Sequence, residues 1–170
     1  MKSLILALTI FGFSTNSIAQ ELKPEHYFDF WIGHWEVSWD EASGTRGQGT
    51  NTISKTLDNK VLIENFIVNS GQQKGFKGKS MSVYQPKTNT WKQAWVDNQG
   101  GYFDFTGKIE NNKRIFETEA KSTNDSLMLR QRMVFYNIKK NSFTWDWESS
   151  KDNGKTWTLN WRIFYERIIQ

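Results

Sequence analysis

The residues best suited to chemistry in this 170-residue chain are aromatic rings set among single polar groups. Trp91, Gln93, Trp95 and Asp97 recur at every second position, as do Phe143, Trp145 and Trp147. Trp157, Trp161 and Tyr165 form a third candidate stripe. Flat rings stack on the apolar faces of sugars and other small amphipathic molecules, while polar neighbours fix orientation. One reading is therefore a ligand site built from Trp91, Gln93, Trp95, Asp97, Trp145 and Trp147, with Tyr84 and Arg132 as further contacts. The other is that the rings simply fill a core. Gln93 and Asp97 fit poorly in a dry core, because a buried polar group without a partner costs about 1–3 kcal/mol. Water or a ligand would remove that cost.

A second set of residues suggests acid–base work. β-Elimination beside a carboxylate needs a cation for the developing charge, a base for the carbon-bound proton and an acid for the departing oxygen. Arg130 or Arg132 would supply the first, His26 or His34 the second, and Tyr84 or Tyr102 the third. Glu64 is a further polar candidate on a strand. The arginines serve only if they face inward, where they would clamp a carboxylate bidentately. The opposite face of their run, Leu127, Leu129, Gln131, Met133 and Phe135, is the greasier, which turns Arg130 and Arg132 outward. His34 alternates against Trp35 and faces outward if that ring is in.

Two histidines and no cysteine leave no cluster with metal-ligand spacing. A lone histidine is weak grounds for haem ligation, so no cofactor is expected. No Ser-His-Asp order, glycine-rich phosphate loop or paired carboxylates stand out.

From Gly33 onward, runs of alternating residues are divided by turn residues at short, regular intervals, the rhythm of an all-β sandwich or barrel. Trp35, Val37 and Trp39 oppose His34, Glu36, Ser38 and Asp40, giving one dry and one wet face. Further strands are read at 47–57, 60–69, 76–85, 91–97, 102–109, 113–121, 126–138, 142–149 and 155–167. About ten strands with short loops predict an up-and-down antiparallel barrel, since closure removes both exposed edges. Pro24–Trp31 is the one helical candidate, a short lid with proline in its opening turn. No linker or repeat divides the chain, so residues 20–170 form one domain.

Residues 1–19 read as an export signal. Lys2 is followed by ten apolar residues, Leu4 to Phe13, and Ser17 and Ala19 provide a small-x-small cleavage site. Ten apolar residues are too few to cross a bilayer, which takes about 20. The expected product is periplasmic or secreted and begins at Gln20, with no stable membrane insertion. Its charge falls from +4 to +3 with the loss of Lys2. The charges are interleaved, so no nucleic-acid footprint is read. Asn124-Asp125-Ser126 matches a glycosylation sequon, a short match of little weight. The oligomeric state is open.

Gly33-His34-Trp35 opens the first strand and Arg162 and Arg167 lie in the last, an arrangement that resembles the calycin (lipocalin-like) superfamily. The resemblance implies a barrel whose first-strand Trp packs beneath a last-strand arginine as a cation–π pair. The segment Phe28-Asp29-Phe30-Trp31-Ile32-Gly33-His34-Trp35, with Ser150-Lys151-Asp152-Asn153-Gly154-Lys155-Thr156-Trp157, also resembles a secreted bacterial family of unknown function. The second segment is similar to the Asp-box hairpin of sialidases, which implies a structural turn and no role for Asp152 in catalysis. Three functions follow: a barrel holding a carbohydrate-like or acidic small ligand, a lyase on uronic-acid oligosaccharides using the same cavity, and an accessory protein with no cavity ligand.

Overall fold

The computed structural model describes residues 22–123 and 127–169. The expected export signal and the Asn124-Asp125-Ser126 sequon lie outside the described residues. Eleven strands follow two short 3-10 turns, Pro24–His26 and Asp29–Trp31. The strands are β1 (Gly33–Asp40), β2 (Arg46–Thr56), β3 (Val61–Ser70), β4 (Lys77–Gln85), β5 (Thr90–Asp97), β6 (Tyr102–Glu110), β7 (Lys113–Thr118), β8 (Lys121–Ser122), β9 (Met128–Tyr136), β10 (Ser142–Ser150) and β11 (Thr158–Arg167).

From β1 to β7 each strand pairs antiparallel with the next, β9 pairs with both β7 and β10, β10 pairs with β11, and β11 pairs with β1. Ten strands thus close an up-and-down barrel, and the two-residue β8 lies beside β9 as an extra. The run expected as one strand over 113–121 is broken at Glu119-Ala120, where the chain leaves β7 before rejoining β9 through β8. Asparagines make the turns at one end. Asn111 and Asn112 both have positive φ, 49° and 62°, in the two-residue link between β6 and β7. That is the backbone of a type I′ hairpin, matched to the twist of the strands it joins.

The N-terminal 3-10 turns plug the base. Phe28, stacked 4.2 Å from Phe116, and Trp31, 5.2 Å from Phe135, are essentially inaccessible. Trp35, Phe143 and Tyr165 continue the packing, with Phe143 and Tyr165 stacked at 4.2 Å. Arg167 closes this end. Its guanidinium lies 4.0 Å from the Trp35 ring centre. It also donates to the carbonyls of Ile32 (2.7 Å), Phe30 (3.2 Å) and Lys140 (2.9 Å). Gly33, at φ 138°, is required here because a Cβ would collide with that guanidinium. Arg167, not Arg162, is therefore the arginine above the first-strand tryptophan. Arg162 points to the outer wall and holds Asp146 bidentately at 2.8 and 2.7 Å.

No helix among the described residues is long and apolar enough to cross a membrane.

Candidate functional site

The half of the barrel away from the plug is hollow. The reason lies in the inward positions of β2 and β4, where Gly47, Gly49, Gly78, Ser80 and Ser82 contribute almost no volume. Large rings on neighbouring strands reach into the space this leaves: a Cβ at Gly47 would overlap Trp39, and one at Gly78 would overlap Trp95. The result is a cavity of about 340 Å³. Its walls are Phe66, Phe76, Trp95, Phe103, Phe105, Trp145, Trp147 and Trp161, with Met133 and Ile163 between them.

The rings brace one another at fixed angles. Trp145 and Trp147 are parallel to within 6° at 6.4 Å, and Trp161 stands at 90° to Trp145. Phe103 meets Trp147 at 77°, and Phe76 stacks on Trp95 at 6.5 Å. A bulge in β11, opposite the Trp147/Glu148 step, leaves Asn160 between the partners of those two residues. It brings Asn160 onto the cavity wall beside Trp161, against the simple alternation of a regular strand.

The polar groups form a connected floor. Asn51 on β2 donates through Nδ2 to Glu64 Oε1 (2.7 Å) and to the Tyr165 hydroxyl (3.1 Å). Ser80 on β4 donates to Glu64 Oε2 at 2.6 Å. Beside them Gln93 donates to Ser82 Oγ at 2.8 Å. Asn51 Oδ1 and Gln93 Oε1 are buried without partners. Burial pushes the Glu64 carboxyl up to about 7, against the opposing hydrogen bonds from Ser80 and Asn51. Burial and the neighbouring Glu64 charge also push the Tyr165 phenol upward, so it stays neutral.

At the mouth, Asp97 takes hydrogen bonds from the Gly101 and Gln99 amides (2.8 and 2.9 Å) and from the Trp95 indole (3.2 Å). Burial favours its neutral form, but these donors outweigh it and hold the carboxyl below its ordinary range. No Lys, Arg or His is among the described residues that line the cavity.

Of the residues singled out from sequence, Trp95, Asp97, Trp145 and Trp147 meet in this cavity. Gln93 lies buried beside its floor. Trp91 shares the stripe but sits at the plugged end, its indole donating to Pro24 O at 2.7 Å and its ring 5.2 Å from Phe28. Tyr84 packs near Trp91 and donates to Asn89 in a turn at 2.6 Å.

The remaining candidates do not reach the cavity. His34 is on the outer wall beside Thr52, and His26 lies in the plug, 2.8 Å from Asp29. Tyr102 is exposed on the outside. Arg130 and Arg132 face outward, as the greasier opposite face implies, and pair with Glu117 (2.7 Å) and Glu148 (2.6 Å). Trp157 is not in line with Trp161 and Tyr165: it lies in the β10–β11 hairpin, outside, with the Arg132 guanidinium 3.8 Å from its ring centre.

That hairpin is a turn built by its own side chains. Asp152 Oδ1 accepts from the Ser150 hydroxyl and the Thr156 amide (2.7 and 2.9 Å), and Oδ2 accepts from the Thr156 hydroxyl (2.6 Å). Gly154 adopts φ 84°, and Trp157 donates back to its carbonyl at 3.0 Å.

Glu64, Asn51, Ser80 and Tyr165 are the site residues that sequence reading does not assemble. Glu64 stands out as a lone carboxylate in the apolar run Val61–Val68, but nothing local ties it to the other three. No family model and no curated protein matches this chain.

Proposed function

We propose that this chain is an exported, calycin-like barrel that binds a small ligand in its tryptophan-lined upper cavity. The observation that carries the reading is the division of one barrel into a packed base and a hollow top. Large rings frame the hollow, and small inward residues on β2 and β4 keep it open. An interior built only for stability would fill that space, since each void of methyl size or more costs about 1 kcal/mol. The Asn51–Glu64–Ser80–Tyr165 network gives the mainly aromatic chamber a polar floor, opposite Asp97 at the mouth, the combination that orients a small amphipathic guest.

The lining refines the ligand class. An acid entering this chamber would meet Glu64 and Asp97 and no Lys, Arg or His among the described residues. Uncharged ring-shaped molecules, sugars among them, and cations fit better. The elimination chemistry gains no support from the same lining, because nothing there would stabilise an enolate-like charge.

Titrating intrinsic tryptophan fluorescence with a panel of sugars, aryl compounds and amines tests the proposal. Binding should perturb emission, and Trp145→Ala should weaken it about thirtyfold, the roughly 2 kcal/mol of a well-packed aromatic contact. Emission that stays constant across the whole panel would end the cavity reading.

A further inference from the structure

Three acidic side chains are buried in the described barrel wall: Glu64, Glu117 and Asp146. Glu117 has Arg130 at 2.7 Å and Lys108 at 2.9 Å, and Asp146 has Arg162 at 2.7 Å. Glu64 has no cationic partner among the described residues. It has two neutral hydrogen-bond donors and faces a chamber of aromatic rings. A buried carboxylate lacking a positive partner is costly, and this barrel supplies that partner to both of its other buried acids. The space where a counter-charge would sit is the cavity itself.

The rings point the same way. An aromatic face carries negative quadrupole charge, and rings set at steep angles around a chamber attract a cation once water is displaced. Asp97, ionised at the mouth, adds a second negative charge on the entry side.

Resting on the cavity reading above, we propose that the ligand is an organic cation. It is an apolar-faced or ring-bearing amine, held among Trp95, Trp145, Trp147 and Trp161, with its ammonium group against the Glu64 carboxylate.

The groups facing Glu64 are Asn51 of β2, Ser80 of β4 and Tyr165 of β11, with Asp97 of β5 the other acid on the wall. Tyr165 is held neutral and Asp97 ionised, so Glu64 is the lining group, among the described residues, that changes charge near neutrality. Binding a cation then expels the Glu64 proton, and affinity rises with pH until the carboxyl is ionised without help.

Three probes sharing one ring separate charge from stacking: benzylammonium, benzyl alcohol and benzoate, titrated calorimetrically against the barrel. At pH 8 benzylammonium should bind about tenfold tighter than benzyl alcohol, and benzoate weakest. Benzylammonium affinity should fall about tenfold by pH 5, to the level of benzyl alcohol, because about one Glu64 in a hundred is then ionised. Benzyl alcohol should show no such dependence, and the Glu64→Gln variant should lose both the preference for the cation and its pH profile. If benzyl alcohol or benzoate binds the wild-type barrel as tightly as benzylammonium, the cation assignment is wrong while the cavity stands. Heat-silent titrations with all three at millimolar concentration would remove the cavity reading together with it.

Discussion

Replacing Glu64 by Gln should change how the stability of the barrel depends on pH, in a direction fixed by the burial of that carboxyl. In the unfolded chain Glu64 releases its proton near the ordinary 4.5, whereas in the fold burial holds it to about 7. Between those two values the folded state keeps a proton that the unfolded state has already lost. Stability from this group is therefore complete below about pH 4.5, declines as pH rises and levels off above about 7. At 1.36 kcal/mol for each pH unit separating the two values, the loss is on the order of 3 kcal/mol. Glutamine keeps the shape and an acceptor for the Asn51 amide, and the Ser80 hydroxyl can reverse its bond to accept from the new amide. The variant should therefore fold without this loss. Urea unfolding followed by tryptophan emission at pH 4.5, 6 and 8 gives the comparison. The wild-type curve should fall relative to the Glu64→Gln curve by about 3 kcal/mol across that span. Parallel curves would show that Glu64 is solvated in the fold and that the floor is not the dry site described.

Further outcomes follow from the geometry and from the sequence. Arg167→Ala removes three hydrogen bonds to backbone carbonyls and the contact with Trp35, and should cost about 3 kcal/mol in urea unfolding. Arg167→Lys should recover little, because an ammonium cannot reproduce the fork. Gly78→Ala should displace Trp95, lowering stability by about 1–3 kcal/mol and weakening ligand binding in the same protein. Asp152→Ala should speed proteolytic cleavage within residues 151–157 and leave cavity titrations unchanged. The native Asp152 carboxyl is held low by Thr156 and Ser150, so acidification of the wild type should loosen the same hairpin only well below the ordinary carboxylate range. The small-x-small pattern of Ser17 and Ala19 predicts cleavage after Ala19, so intact-mass measurement of protein recovered from outside the cytoplasm should give a chain starting at Gln20.

The barrel itself was legible because strand alternation and turn chemistry are local. Trp35, Val37 and Trp39 declare a dry face, and Asp58-Asn59 and Asn111-Asn112 declare turns without reference to the rest of the chain. The pairing of Gly33 and Trp35 with a last-strand arginine followed from resemblance, and geometry selected Arg167 over Arg162. Height along the barrel axis is a different kind of information. Alternation says that Trp91 and Trp95 share an inward stripe, yet the plug decides that Trp91 is packed and Trp95 borders a cavity. The floor escaped notice because Asn51 and Tyr165 stand 114 residues apart and meet only on closure. Asn160 escaped because a bulge breaks the very rule used to assign faces. Glu119-Ala120 carries no glycine or proline, so the break after β7 had no local signal.

The two storeys of this barrel carry different loads. The lower one, cemented by Phe28, Trp31, Trp35 and Arg167, sets whether the chain folds at all. Substitutions around the upper rim act far from that keystone. Exchanging one of the rim rings should therefore reshape the cavity while the foundation stays packed; Tyr165 belongs to both storeys, its ring stacked on Phe143 and its hydroxyl bonded to Asn51.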